Sequence, residues 1–226
     1  MDKLKLLANL PIYVENIPIY SPLLRDIAIL GKEQYSACLS SCIITKDSLI
    51  DKTFCSNCKD DFDVLLKLCL ENNLMPNLIY SLFYFTKLQF NIQKSNNDIV
   101  FISESVELNR YNYNSLIKAI KYVNCLDTFE ERELDEFDRR CLEMERKIQQ
   151  QQNNDRPELE DLISAVANMD GNGLNIINIW DLNIYQFYEQ LQRGQLKEQY
   201  YLAIKQLLAG AKPEEVKIES YFKTIK

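Results

Sequence analysis

The chain has 226 residues, of which 46% are hydrophobic and 26% are charged, a composition typical of a globular protein with a real core. Its 33 acidic and 26 basic residues give a net charge of −7, and this acidic balance argues against a nucleic-acid partner. The absence of histidine excludes Ser-His and Cys-His nucleophiles and histidine metal ligands, and the scarcity of glycine and proline favours helices.

The N-terminus lacks the long apolar core of a secretory signal, and we expect no signal peptide. The most apolar run, residues 78–90, is too short to cross a bilayer, so we expect no membrane partner. The seven cysteines are therefore expected to be reduced thiols in a cytoplasm.

The first elements are an extended segment and two helices. Residues 10–20 alternate apolar with polar side chains and contain prolines, which predicts extended backbone. A helix over 22–30 follows, which we expect Ser21 to cap and Gly31 to end. A second helix is predicted over 32–42, with an apolar side formed by Tyr35, Cys38, Leu39 and Cys42.

The middle of the chain alternates between loops and helices. Residues 45–60 are rich in loop formers, and Asp60 or Asp61 is expected to cap the helix that follows them. Pro76 is expected to begin another helix, and Asn112 or Asn114 one that ends near residue 124.

The clearest strand signal lies near residues 88–102. Residues 88–93 alternate apolar with polar, a run of turn formers follows, and residues 99–102 form the return strand. A lone hairpin is unstable in water. We therefore expect it to pack on helices or to pair with the extended N-terminal segment.

The chain becomes strongly charged from residue 127 to 154. Within this stretch, apolar residues spaced three and four apart predict a short heptad seam, which we expect to pack within its own domain, and a polar Gln-rich tract ends it. The seam consists of Leu134, Phe137, Cys141, Met144 and Ile148.

The C-terminal part is predicted to be mainly helical. Pro157 begins its first helix, residues 170–173 form a tight loop, and Asp181 is expected to cap an aromatic-rich helix. A separate final helix is expected to carry Tyr200 and to stop at Gly210.

These elements predict a predominantly α fold with a small β-hairpin, in the α+β class, and a helical C-terminal subdomain. We divide the chain into an α+β domain over 1–126, a charged helix and linker over 127–154, and a helical subdomain over 155–226.

Four cysteines suggest a structural zinc site. Cys55 and Cys58 form a CxxC pair, and Cys38 and Cys42 precede them at a spacing of four. The spacing of Cys38 and Cys42 equally fits the apolar face of a helix, where cysteine acts as a small hydrophobic residue. We predict no resident metal, cofactor or catalytic residue, and leave open whether the four thiols bind zinc.

An aromatic cluster offers the candidate binding residues Trp180, Tyr185, Phe187 and Tyr188. These side chains cover more than one helical stripe, which is compatible with packing in a core. Tyrosine and tryptophan are also enriched where proteins bind each other, so the cluster is a candidate partner groove as well.

Three segments of the chain resemble tail assembly chaperones of tailed bacteriophages that infect AT-rich Gram-positive hosts. The first runs from Ile17-Pro18-Ile19 through Arg25-Asp26-Ile27 to Gly31 and Tyr35. The other two are Leu82-Phe83-Tyr84-Phe85 with Asn109-Arg110-Tyr111-Asn112-Tyr113, and Ile179-Trp180-Asp181-Leu182 with Tyr185-Gln186-Phe187-Tyr188, Lys197 and Tyr200.

This resemblance implies a helical, non-enzymatic protein without a cofactor, which acts in the host cytoplasm during phage assembly. Its implied partners are the tape measure protein, which it keeps soluble, and the tail tube protein that later replaces it. Self-association is left open. Two alternatives also remain open: a structural virion protein of the tail or baseplate, and a small zinc-stapled regulator.

Overall fold

The structure is a computed structural model. It describes residues 2–49, 52–56, 58–95, 98–104, 106–126 and 157–212, and in the C-terminal end residues 214, 216, 218 and 220–223. The chain divides into two compact units. The first contains Met1–Leu126 and Trp180–Gln186, and the second contains Asp127–Ile179 and Phe187–Lys226.

The first unit begins with α1 (Lys3–Leu7), β1 (Ile12–Val14) and β2 (Ile17–Ile19). Asp2 caps α1, because its carboxylate accepts hydrogen bonds from the first turn of that helix. The extended segment predicted over 10–20 is confirmed, and it folds on itself as an antiparallel hairpin.

The next two helices are α2 (Leu24–Leu30) and α3 (Lys32–Cys42). The prediction that Ser21 caps α2 is wrong, because the helix begins at Leu24 and has no side-chain cap. Gly31 ends α2 with φ of 89°, a left-handed backbone that glycine adopts without strain. The predicted bounds and apolar face of α3 are confirmed.

The helices α4 (Lys52–Cys55), α5 (Asp61–Glu71) and α6 (Met75–Thr86) follow. Asp60 caps α5 by accepting a hydrogen bond of 2.9 Å from the backbone N–H of Asp63, as the sequence predicts. A proline lies in the first turn of α6, where its missing N–H leaves no helical hydrogen bond unmade.

A three-stranded antiparallel sheet follows, with β3 (Asn91–Ser95), β4 (Asp98–Ser103) and β5 (Val106–Leu108) in that order. The predicted hairpin near 88–102 is confirmed, but it begins later and a short third strand extends it. Among the described strands, this sheet is separate from the β1–β2 hairpin, so the two do not pair as one of the alternatives above expected.

The first unit is completed by α7 (Tyr113–Val123), which buries one strongly apolar face. The ring of Phe62 on α5 lies 6.1 Å from Phe101 of β4 and 5.4 Å from Tyr113 of α7, measured between centroids. The core thus joins helices and sheet through these aromatic contacts.

In the second unit, α8 (Leu159–Ala167) has a capping box between Glu158 and Asp161. The long helix α9 (Ile184–Leu208) begins in the first unit and continues in the second. The prediction of two separate C-terminal helices is therefore wrong, because one helix continues through Gly194.

The fold class predicted above, predominantly α with small antiparallel sheets, is confirmed. None of the helices within the described ranges is long and apolar enough to span a membrane. The charged helix and linker predicted over 127–154, with its heptad seam, lie outside the described residues. The three-part division of the chain stays a prediction.

Candidate partner-binding surface

The segment that precedes α9 is held by backbone hydrogen bonds to the segment that precedes α2. The N–H of Leu24 donates to the carbonyl of Leu182 at 2.9 Å, and the N–H of Ile184 donates to the carbonyl of Pro22 at 2.8 Å. These bonds form a small antiparallel bridge between segments that are distant in sequence.

Asn183 caps α9. Its side-chain oxygen accepts from the backbone N–H of Gln186 at 2.8 Å, and the Gln186 side chain accepts from the backbone N–H of Asn183 at 2.9 Å. The prediction that Asp181 caps this helix is wrong, since Asp181 instead pairs with Arg25 at 2.6 Å on the surface.

Trp180 and Tyr185, two of the four predicted binding residues, belong to the first unit. Trp180 is half-buried in a 3₁₀ turn over Ile179–Asp181. Tyr185 is buried, and its ring packs on Tyr122 with 5.5 Å between centroids. Tyr185 thus forms part of the interior of that unit.

Phe187 and Tyr188, the other two, belong to the second unit. Phe187 has no exposed surface, and Tyr188 is half-buried with its ring 5.3 Å from that of Phe187. The structure therefore does not present the four aromatic residues as one exposed set. Their role in binding a partner stays a prediction.

The C-terminal half of α9 carries apolar side chains on its exposed side. Tyr201, Leu202 and Leu208 expose 48%, 59% and 83% of their surface, and Lys205 lies between them. Tyr201 and Leu208 are two helical turns apart and share one face. We call Tyr201, Leu202, Lys205 and Leu208 the outer face of α9.

An adjacent side of α9 packs within the second unit. Tyr200, Ala203, Ile204 and Leu207 form a buried to half-buried stripe at helical spacing. The ring of Tyr200 contacts that of Tyr221 at 5.4 Å between centroids. The outer face is thus a second apolar stripe, beyond the stripe that the fold of this unit buries.

Arg193 fixes the C-terminal tail along this helix. Its guanidinium donates to the backbone carbonyls of Tyr221 and Lys223, and it also pairs with Glu189 at 2.9 Å, one turn earlier on α9. An arginine can make these bonds together because its five donors lie in one plane.

The first unit has its own exposed apolar side chains near the N-terminus, which are Leu4, Leu7, Leu10 and Tyr13. The ammonium group of Lys5 lies 5.7 Å from the centre of the Tyr13 ring. Because these side chains come from a short helix and a hairpin, they form a less regular surface than the outer face of α9.

The sequence of residues 200–208 already indicates the outer face, although the aromatic residues near the start of α9 are the more conspicuous candidates. A helix that packs on one side needs one apolar stripe, but residues 200–208 carry two, offset by about 100°. The second stripe, through Tyr201 and Leu208, exceeds what an ordinary surface helix requires. Such an excess is typical of a binding surface.

The four cysteines considered for zinc do not come together. Cys38 and Cys42 are buried on α3, and burial raises the pKa of both thiols. Within the described ranges, no group of three or more cysteine, aspartate or glutamate side chains is arranged to hold a metal ion. Cys55 and Cys58 therefore stand as a pair.

The other strongly shifted groups are also explained by burial. Burial raises the pKa of Cys69 to about 11, and it raises the pKa of the Tyr84 and Tyr113 hydroxyls. Tyr113 donates to the carbonyl of Ile44 at 2.9 Å, which fixes the ring in the core. These shifts therefore reflect core positions.

Comparison with protein-family models gives a match in the C-terminal part of the chain. A family model described as the second domain of YomV matches residues 149–226, about a third of the chain, including the outer face of α9. This similarity relates that part of the chain to a Bacillus phage-type protein family. No curated protein and no solved structure matches the chain.

Proposed function

We propose that this phage-related protein is a non-enzymatic tail assembly chaperone that binds the tape measure protein through the outer face of α9. The observation that carries the proposal is an exposed apolar stripe on a long helix, within the region similar to the YomV second domain. An exposed stripe of this kind is the usual docking site for an amphipathic partner helix.

The geometry of the outer face suits a helical client. Tyr201 and Leu208 are seven positions apart, which is the repeat of a two-helix seam, and Leu202 widens the contact. A tape measure protein is long, helical and apolar on the faces that it cannot bury alone. Several copies of the chaperone, each binding weakly, would cover such a client by multivalency.

The charge of the chain supports the same role. A net charge of −7 keeps a protein with exposed apolar side chains soluble, because like-charged molecules repel each other. In the proposed role the protein acts in the host cytoplasm, the tail tube protein displaces it from the client, and neither nucleic acid nor a membrane is a partner. Self-association stays open.

Co-expression with the tape measure protein of the same phage tests the proposal. We expect the soluble fraction of the tape measure protein to rise in the presence of this chain. Replacing Tyr201 and Leu208 with serine should abolish most of that rise, because buried aromatic and aliphatic anchors dominate binding energy.

A matched control comes from α2. Ile29 is 80% exposed, so the change Ile29→Ser removes about as much exposed apolar surface as the change of Leu208, which is 83% exposed, but elsewhere on the chain. This variant should solubilise the client as well as the unchanged protein does. Equal solubility of the client with and without the chain would contradict the proposal.

A structural virion protein is the alternative that the sequence left open. Such a protein would share the apolar surface but would remain in finished particles. Mass spectrometry of purified particles separates the two, since a chaperone should be absent, whereas a tail or baseplate protein should be present in stoichiometric amount.

A further inference from the structure

We propose that Cys55 and Cys58 form a redox-active dithiol site that small-molecule disulfides oxidise to an intramolecular disulfide. The two residues are the CxxC pair that does not join a larger metal-binding cluster within the described ranges. This site is independent of the proposed function, and neither depends on the other.

A hydrogen-bonded turn brings the two cysteines together. The backbone N–H of Cys58 donates to the carbonyl of Cys55 at 3.1 Å. Residues at the two ends of such a turn have Cα atoms within about 7 Å. Disulfide-bonded cysteines have Cα atoms about 4.4–6.8 Å apart, so the turn already places the pair at bonding range.

The two thiols differ in exposure, which assigns their order of reaction. Cys58 is half-buried, whereas Cys55 is buried, with 8% of its surface exposed. Among the described residues, the Cys55 sulfur donates to the carbonyl of Lys46 at 3.9 Å and the Cys58 sulfur donates to the carbonyl of Phe54 at 3.8 Å. Both contacts are long, so neither is a strong hydrogen bond.

Two lysines place positive charge beside the turn. The ammonium of Lys46 donates to the carbonyls of Cys58 and Lys59 at 2.7 and 2.8 Å. The ammonium of Lys67 donates to the carbonyl of Phe54 at 2.9 Å and lies over its ring. These bonds fix the backbone on both sides of the turn that joins Cys55 to Cys58.

The reaction is an exchange with two steps. The Cys58 thiolate attacks one sulfur of a small disulfide, forms a mixed disulfide and releases one thiolate. The Cys55 thiolate then attacks the Cys58 sulfur and releases the second. Two protein thiols are oxidised by two electrons, and one small disulfide is reduced to two thiols.

The other described cysteines lack this combination. Cys38, Cys42 and Cys69 are buried, and burial raises the pKa of all three thiols. A thiol that remains protonated does not attack a disulfide. Cys125 is exposed but lies at the end of α7, and it serves as a control.

Equilibration with oxidised and reduced glutathione tests the proposal. Trypsin cuts after Lys52 and Lys59, so both cysteines fall in one peptide. We expect this peptide to be two hydrogens lighter and resistant to iodoacetamide, and dithiothreitol should reverse the change. The change Cys125→Ser should leave the result unaltered.

The same equilibrium measured in urea shows whether the folded turn favours formation of the disulfide. We expect the folded protein to favour the disulfide by about tenfold or more over the unfolded chain, equal to about 30 mV for this two-electron couple. Equal closure in urea would overturn the proposal. So would a folded protein in which both thiols stay reduced, or in which Cys58 keeps glutathione while Cys55 stays free.

A single variant identifies the attacking thiol. The change Cys55→Ser removes the second step, so Cys58 should accumulate as a mixed disulfide with one glutathione. Recovery of Cys58 without glutathione in this variant, if its circular dichroism matches that of the unchanged protein, would contradict the assigned order.

Discussion

Ser21 and Tyr185 are 164 positions apart in the sequence, and the backbone N–H of Tyr185 donates to the Ser21 hydroxyl at 3.2 Å. The same hydroxyl donates to the carbonyl of Val123 at 2.8 Å. One buried serine therefore joins the end of α7 to the first turn of α9 within the first unit.

Replacing Ser21 with alanine should lower the free energy of unfolding by about 1–3 kcal/mol, because it leaves a buried N–H and a buried carbonyl without their partner. The measurement is urea denaturation followed by circular dichroism. Ser41→Ala is the control, since the Ser41 hydroxyl donates to the carbonyl of Ala37 within α3 at an exposed position. This change should alter stability by less than about 0.5 kcal/mol. Equal losses in the two variants would contradict this account of Ser21.

Arg110 should be the arginine that matters most for the stability of the first unit. It donates to Asp60 at 2.8 Å and to Asp63 at 3.0 Å, and its side chain is only 16% exposed. Arg110→Ala should cost about 2–3 kcal/mol, because it leaves two carboxylates at a partly buried site without their counter-charge.

The surface pair of Arg25 and Asp181 provides the comparison for Arg110. It has a shorter distance, 2.6 Å, but both side chains are more than half exposed. Arg25→Ala should therefore cost less than about 1 kcal/mol. Both losses of stability can be measured by urea denaturation. A larger loss in Arg25→Ala than in Arg110→Ala would show that the distance between the charged groups, rather than their burial, determines how much an ion pair stabilises this fold.

Two tyrosines should respond in opposite ways to loss of their hydroxyl. The Tyr84 hydroxyl is buried and has no hydrogen-bond partner among the described residues, whereas the Tyr113 hydroxyl bonds to Ile44. Tyr84→Phe should leave thermal stability equal or higher, and Tyr113→Phe should lower it by about 1 kcal/mol or more. A clear loss in Tyr84→Phe would contradict the observed packing.

Stability should fall in alkaline solution. Cys42 and Cys69 have folded pKa values above the ordinary 9.0, with Cys69 at about 11. The contribution of these two thiols to the free energy of unfolding is complete below about pH 9. It is lost as pH rises, because only the unfolded state readily releases these protons. The loss reaches up to about 1.4 kcal/mol per pH unit for each thiol. The free energy of unfolding, measured from pH 8 to 11, should fall less steeply with pH in Cys42→Ala than in the unchanged protein. An unchanged slope would contradict the role given to Cys42.

Local signals in the sequence predicted the elements whose ends depend on adjacent residues. The bounds of α3, the cap at Asp60 and the stop at Gly31 follow from side chains within one helical turn. Ser21 followed by Pro22 looked like a helix start for the same reason. The prediction of a helix cap at Ser21 was wrong because the Ser21 hydroxyl bonds to Val123 and Tyr185, which are distant in sequence. No local pattern reveals such bonds.

The candidate binding surface on α9 also depends on contacts that the sequence alone does not reveal. Periodicity identifies apolar stripes on α9 but does not tell which stripe the fold buries. Phe187 lies inside and Leu208 outside, although both are large apolar residues of the same helix. Only the packing of the tail and neighbouring helices decides between them, as the contact between Tyr200 and Tyr221 illustrates.

Hydrogen exchange on the complex with the tape measure protein tests the central claim most directly. Binding through the outer face predicts slower exchange of backbone amides over residues 201–208, and the double change of Tyr201 and Leu208 to serine should remove that protection. Protection confined to other segments, or unchanged exchange in α9 when the two proteins bind, would contradict the account.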